Sequence, residues 1–172
     1  MIVEVKTYKE QEEFARLGVE FSRTYPNAIP YFYKEQLNFL NSDKNYVLRN
    51  GGKLNCFLCK VNDAYVGRVA AMINSDIPDT GLVGLFDCIE DYSVAESLLD
   101  SAKEYLLSEN CKRILGPIDF SIFQSYRFMT DGYSNMNYLG EPRNPSYYPM
   151  YFKDYGFSKE NEWESSYMDK DE

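Results

Sequence analysis

Histidine is absent from this chain of 172 residues, and that one absence removes a large share of enzyme chemistry. Ser-His-Asp and Cys-His nucleophile pairs are excluded, as is every metal site built on imidazole. A general acid or base must then be a carboxylate, Tyr, Cys, Lys or a chain terminus. Basic residues are also scarce: 18 Lys and Arg stand against 27 Asp and Glu, a net charge of −9. No stretch gathers the cations into a stripe, so nucleic acid and anionic membrane surfaces are poor partners; both are bound by neutralising negative charge. Long apolar runs are missing too. Val66–Ile73 is interrupted by Arg68 and falls far short of the ~20 residues that a membrane span takes. The opening residues Met1-Ile2-Val3-Glu4-Val5-Lys6 alternate apolar and polar, without the basic-then-apolar layout of a signal peptide. A cytoplasmic protein is the expectation, and Asp169-Lys170-Asp171-Glu172 reads as a solvated tail.

Only four cysteines occur, and Cys56 and Cys59 form a C-x-x-C inside Leu54-Asn55-Cys56-Phe57-Leu58-Cys59. That segment reads as a strand, where residues three apart point to opposite faces. The pair cannot share a metal without a turn, and Cys88 and Cys111 stand alone, so buried structural thiols are expected, with neither metal nor disulfide.

What is present is the pattern of one α/β domain spanning residues 1–172, of ordinary size for a single core. Met1–Lys6 reads as a strand. Phe14, Leu17, Gly18 and Phe21 recur at helical spacing between Thr7 and Tyr25, and a second helix fits Tyr31–Asn41 with Tyr33, Leu37 and Leu40 inward. After the Asn50-Gly51-Gly52 turn signal, Lys53–Lys60 and Tyr65–Ile73 form a hairpin across Val61-Asn62-Asp63, and Leu82–Cys88 is a fourth strand. Ser93–Glu109 is the clearest helix, with Ser93 and Glu96 in capping-box spacing and a stripe of Val94, Leu98, Leu99, Ala102, Tyr105 and Leu106. Arg113–Pro117 reads as a buried fifth strand, Ser146–Tyr155 as a last helix ended by Gly156, and Trp163–Met168 as a final strand.

Pro117 to Asn144 shows no sustained period, yet it carries Phe120, Phe123, Tyr126, Phe128, Tyr133 and Tyr138. So many rings are not left in water, and long loops in compact domains are usually functional. The expectation is that Phe120–Arg143 folds over the ends of the fourth and fifth strands and lines a pocket with Phe123, Tyr126, Phe128, Tyr133 and Tyr148. Arg127 or Arg143 is then placed to pair with an acidic group on a small amphipathic ligand.

The order strand, two helices, three antiparallel strands, helix, strand, helix, strand resembles the GNAT superfamily of CoA-dependent acyltransferases. Asp63-Ala64-Tyr65-Val66-Gly67-Arg68-Val69 resembles the family's hairpin entry, and Tyr151-Phe152-Lys153-Asp154-Tyr155-Gly156-Phe157 resembles the Y-x-x-x-G-F that ends its last helix. Gly116-Pro117-Ile118-Asp119-Phe120-Ser121 and Asn144-Pro145-Ser146-Tyr147-Tyr148 resemble a group of mostly uncharacterised bacterial GNAT-like proteins, often about twice this length. The resemblance implies a mixed, mostly antiparallel sheet flanked by helices and splayed between its fourth and fifth strands.

It also implies where a donor acyl-CoA goes: Cys88, Ile89, Glu90, Ser93, Val94 and Ala95. There the family wraps the pyrophosphate with backbone N–H groups of a Q/R-x-x-G-x-G/A loop at a helix N-terminus. In Glu90-Asp91-Tyr92-Ser93-Val94-Ala95 only Ala95 conforms; Ser93 replaces a glycine and Glu90 a Gln or Arg. Like charges roughly 4 Å apart cost about 4 kcal/mol at an effective dielectric near 20, whereas a helix N-terminus returns only about 0.3–1 kcal/mol. Carboxylates facing the ligand therefore weaken donor binding. The tyrosine that often protonates the family's leaving thiolate falls on Phe152, so Tyr148 and Tyr151 are the neighbouring candidates. Asp87, Glu90 and Asp119 are the base candidates, at the strand ends where an amine is to be deprotonated. Two readings stay open: an acyl-CoA-dependent N-acyltransferase with a small-molecule acceptor, or a GNAT-fold ligand-binding or regulatory module that has lost CoA. An exposed sheet edge with one strand after the last helix further suggests a homodimer.

Overall fold

The computed structural model describes residues 1–136 and 140–166. Tyr138, the tail 169–172 and the last two residues of the expected strand Trp163–Met168 lie outside these. Residues 163–166 are not in a strand, so no strand follows the last helix among the described residues.

Five strands, β1 (Ile2–Glu4), β2 (Lys53–Val61), β3 (Ala64–Ile73), β4 (Thr80–Cys88) and β5 (Arg113–Leu115), form one sheet in sequence order. All neighbours are antiparallel except β4 and β5. The hairpin between β2 and β3 turns on Asn62 and Asp63, both left-handed at φ 47° and 66°. Two such residues match the right-handed twist of the strands, and Asn and Asp tolerate that region.

The helices are α1 (Tyr8–Thr24), α2 (Tyr33–Leu40), α3 (Tyr46–Arg49), α4 (Tyr92–Ser108) and α5 (Tyr147–Tyr155). Thr7 caps α1 by accepting the Glu10 N–H at 3.2 Å, and the Glu10 carboxylate accepts the Lys6 and Thr7 N–H groups. The capping box expected at Ser93 and Glu96 is not formed. Asp91 is the cap of α4, and its carboxylate takes the Ser93 N–H. A carboxylate two residues earlier satisfies an orphan donor of the first turn and adds charge complementarity with the helix dipole. Gly156 closes α5 at φ 114°, a conformation where a Cβ is unfavourable.

The sheet divides two cores. On one face Phe14, Leu17 and Leu40 pack on Cys56, Leu58, Ala70, Met72 and Leu82. On the other, Val94, Leu98, Leu99 and Phe152 pack on Phe57, Cys59, Val69, Val83 and Phe86. Cys56 and Cys59 thus belong to opposite faces, as strand geometry requires.

Two irregularities in β4 shape its far end. The β3–β4 register passes from Ala70↔Gly84 to Arg68↔Asp87, so Val69 faces both Leu85 and Phe86. This is a bulge, and Leu85 sits in it at φ 45°. β5 pairs with β4 only from Thr80↔Arg113 to Leu82↔Leu115, after which the two strands part. The stretch from Pro117 to Asn144 contains no helix or strand among the described residues, only an isolated bridge between Ile118 and Tyr126.

Candidate functional site

The splay between β4 and β5 is bridged by one side chain. Asp119 accepts the Leu85 N–H on Oδ1 at 2.8 Å, from a turn held by its own N–H donating to the Ser125 carbonyl at 2.7 Å. Gly84 makes room for it: a Cβ there would lie 2.1 Å from that oxygen. Burial pushes the Asp119 carboxyl up to about 7, and neighbouring Asp87 adds to the rise; the Leu85 N–H and Arg68 pull the other way. A carboxylate poised near neutrality beside a strand gap is suited to taking a proton from an amine.

Asp87 is only 3% exposed and paired with Arg68, which is fully buried. Arg68 Nε donates to Asp87 Oδ2 at 2.7 Å, and Nη1 donates to the Phe14 carbonyl at 3.1 Å and Gln36 Oε1 at 2.8 Å. The guanidinium lies against α1 where Gly18 lacks a side chain; a Cβ at Gly18 would sit 2.0 Å from Cζ. Asp87 Oδ1 accepts the Tyr25 hydroxyl at 2.6 Å, and Tyr25 stands 2.8 Å from the Tyr148 hydroxyl. Tyr148 in turn accepts the Cys88 N–H at 2.8 Å. With Tyr25 donating to Asp87, the Tyr148 hydroxyl has its proton for the Tyr25 oxygen at 2.8 Å or the Cys88 carbonyl at 3.2 Å. Burial and the Asp87 charge hold the Tyr148 proton far above the usual phenol range, which makes this hydroxyl a clamp rather than a ready acid.

The residues expected to meet the donor lie at the end of β4 and the N-terminus of α4. Glu90 and Ile89 are exposed, while Cys88, Val94 and Ala95 are buried in the core. Asp91 Oδ1 accepts both the Ser93 N–H at 2.9 Å and the Ser93 hydroxyl at 2.7 Å. The Val94 and Ala95 N–H groups donate to the Asp91 carbonyl. Tyr147 and Tyr148 both lie on the Cys88 carbonyl, at 3.1 and 3.2 Å. The amides around the α4 N-terminus are therefore largely satisfied from within.

The five rings expected to share one pocket are not gathered together. Phe128 packs edge-to-face on Tyr148 and Phe152, and with Phe86 these rings fill the space beside β4. Phe123 is 91% exposed. Tyr126 packs on Trp163 with Arg127 over its ring, and Arg127 pairs with Glu141 at 2.9 Å. Tyr133 donates to the Met129 carbonyl, and Arg143 donates to the Tyr133 and Asn135 carbonyls. Tyr151, the second acid candidate, is turned away onto Tyr92 and Tyr147. Clefts of about 280 and 220 Å³ lie beside Tyr105 and beside Leu48, and neither is lined by a residue of this site. No group of three His, Cys, Asp or Glu is placed to hold a metal among the described residues. No helix among them is long and apolar enough to cross a membrane.

Sequence reasoning singled out Asp87 and Asp119 as candidates but not Tyr25 or the pairing of Asp87 with Arg68. The signal was present: each of two adjacent apolar strands carries one inward charge, of opposite sign, and Gly18 provides the vacancy above them.

No protein-family model matches the chain. Protein YghO of Escherichia coli (strain K12) is 25% identical over 142 residues, covering 78% of this chain and 35% of that protein. The chain thus spans about a third of the length of that curated relative. Among solved structures, a predicted acetyltransferase from Clostridium acetobutylicum, determined with acetyl-CoA, matches at TM-score 0.53 and 16% identity over 97% of this chain and 96% of that one. Glucosamine-6-phosphate N-acetyltransferase from Arabidopsis thaliana matches at TM-score 0.52 and 9% identity over 98% and 99%. With its bulged fourth strand, its splayed fifth and helices on both faces, the chain has the fold of the GNAT acetyltransferases.

Proposed function

We propose that this chain is an N-acyltransferase that moves an acyl group from an acyl-CoA to the amine of a small-molecule acceptor, with Asp119 as the base. The observation that carries the reading is the Asp119 carboxyl, held across the gap between β4 and β5 and poised near neutral pH. Asp119 takes one proton from the acceptor ammonium. The freed amine forms the new N–C bond as the thioester C–S bond breaks, and the second amine proton leaves with the thiolate to give a thiol.

Asparagine at 119 keeps a carbonyl oxygen for the Leu85 N–H but cannot take a proton. Asp119→Asn should lower turnover at least ~100-fold, the usual contribution of a positioned base. Stability should move the other way. A carboxyl raised to about 7 in the fold and near 3.9 when unfolded binds more protons in the folded state. Its unfavourable contribution is absent below pH ~4 and complete above pH ~7. The asparagine variant should therefore be at least as stable as the parent at pH 8, read by urea unfolding; an inactive variant that is also unstable would mean misfolding.

The donor's phosphate end fits this chain poorly. Asp91 occupies the Ser93 N–H, and Glu90 beside it adds a second charge. Acetyl-CoA should bind with a dissociation constant above ~0.1 mM, or about −5.5 kcal/mol. Asp91→Ala frees that N–H and removes a charge, so affinity should rise several-fold while the lost cap costs about 1 kcal/mol of stability. Calorimetry alongside thermal unfolding reads both; low-micromolar binding by the parent, or no gain in the variant, contradicts the reading.

One arrangement favours a second reading, a binding module without CoA: Tyr147 and Tyr148 occupy the polar backbone of Cys88 at the end of β4. Native mass spectrometry separates the two, since a module of this kind co-purifies with a small ligand other than an acyl-CoA.

A further inference from the structure

The turn that follows Asp119 holds two apolar residues out in water. Phe123 is 91% exposed, and Ile122 beside it is exposed as well. The turn is braced from within. The Asp119 N–H donates to the Ser125 carbonyl at 2.7 Å, and the Gln124 N–H to the Ser121 carbonyl at 3.1 Å. At its base Ile118 bridges to Tyr126, and buried Phe120 stacks on Phe39 of α2 with ring centroids 5.4 Å apart. Asn74 Nδ2 donates to the Phe120 carbonyl at 3.1 Å. A ring presented on a braced turn loses little freedom when it is buried, which is the property of an anchor side chain.

The same face of the sheet has an opening of matching chemistry. The cleft of about 220 Å³ beside α3 is walled by Val5, Leu40, Leu48, Leu54 and Cys56, with Gln11 and Ser42 as its polar residues. A cavity of roughly 150 Å³ with apolar walls takes a benzene ring, so a phenylalanine side chain fits. These walls belong to the core that also holds Phe120 and Ile118. Helix α2 joins the two features: Phe39 packs on the turn, and Leu40 lines the cleft. In its own chain Phe123 stands outside this cleft.

We propose that the occupant of the cleft is the Phe123 ring of a second copy of this chain. Knob and cleft lie on one face, so a two-fold axis between them seats each copy's ring in the other's cleft and closes the pair. One aromatic side chain buries ~150–250 Å², against about 800 Å² per partner in a standard interface. Exposed Ile122, Phe32 and Tyr46, on the turn, before α2 and on α3, extend the apolar surface. Such a contact is small, with a dissociation constant on the order of 10 µM. The net charge of −9 opposes association, so added salt strengthens the pair, the reverse of one held by ion bridges. The contact is independent of both readings of the function.

Sedimentation equilibrium on the wild-type, Phe123→Ser and Ser42→Trp proteins reads the association. Both positions are exposed, so neither change disturbs the core, which thermal unfolding verifies. The first removes the knob, and the second fills the mouth of the cleft. Each variant alone should pair at least about ten-fold more weakly than wild type, the cost of a lost anchor. Mixed together, the two should pair several-fold more tightly than either alone, because the ring of one enters the open cleft of the other. A wild-type protein still monomeric at about 100 µM would overturn the assignment. So would a dimer that salt dissociates, or a mixture no tighter than its components. A dimer that both changes leave intact would do the same, and would place the contact elsewhere, at a sheet edge first of all.

Discussion

Asp87→Ala is expected to destabilise the protein by about 3–5 kcal/mol, because it leaves the wholly buried Arg68 guanidinium without its counter-charge. The loss extends beyond the pair: the Tyr25 hydroxyl also loses its acceptor, and through it the link to Tyr148 and Cys88 is loosened. Burial itself pushes the Asp87 carboxyl up against the pull of Arg68 and Tyr25, so the pair is costly to keep as well as costly to break. That asymmetry has a readable consequence. Replacing both partners with apolar residues, Arg68→Met together with Asp87→Leu, should recover most of the stability lost in Asp87→Ala. Urea unfolding with an unchanged m-value checks the comparison; a double variant no better than the single would show that the tyrosines, and not the buried charge, carry the energy.

The second large effect concerns a residue with no side chain. Alanine is usually worth about 1 kcal/mol more than glycine inside a helix, yet Gly18→Ala should lower stability by roughly 2–4 kcal/mol through overpacking and displaced hydrogen bonds. Its Cβ would fall 2.0 Å from Arg68 Cζ and 2.2 Å from Nη1. The guanidinium must then leave the Phe14 carbonyl and Gln36, the contacts that tie β3 to α1 and α2. Thermal unfolding reads the sign directly. If Gly18→Ala stabilises, Arg68 is not seated against α1.

Most of the fold was legible because its signals are local. The α1 and α4 stripes, the Asn62-Asp63 turn and the Gly156 cap each depend on a few neighbouring residues. Errors came where a side chain found a nearer or a distant partner. Asp91 displaced Ser93 as the cap of α4 because its carboxylate reaches the same N–H. Tyr46–Arg49 forms a single helical turn capped by Asn45, too short to show a period. For the site, the two acids at the strand ends were visible as inward or turn-placed charges, but Tyr25 reaches Asp87 across 62 positions of sequence, and no spacing rule reports that. The aromatic loop misled for a related reason. Ring content says that rings will pack, not against what: Phe128 joined Phe86, Tyr148 and Phe152 in a solid cluster, while Phe123 stayed in water.

The central claim, that Asp119 serves as base for an acyl transfer in the β4–β5 splay, is tested most directly by the pH dependence of kcat/KM. The measurement is acetyl transfer to a set of small primary amines at millimolar acetyl-CoA, made in parallel on the parent and on Asp119→Asn. The account predicts a limb rising through about pH 7 in the parent, where the buried carboxyl loses its proton, and its disappearance from the variant together with most of the rate. Identical profiles in the two proteins, or no transfer by the parent at any pH, would contradict it.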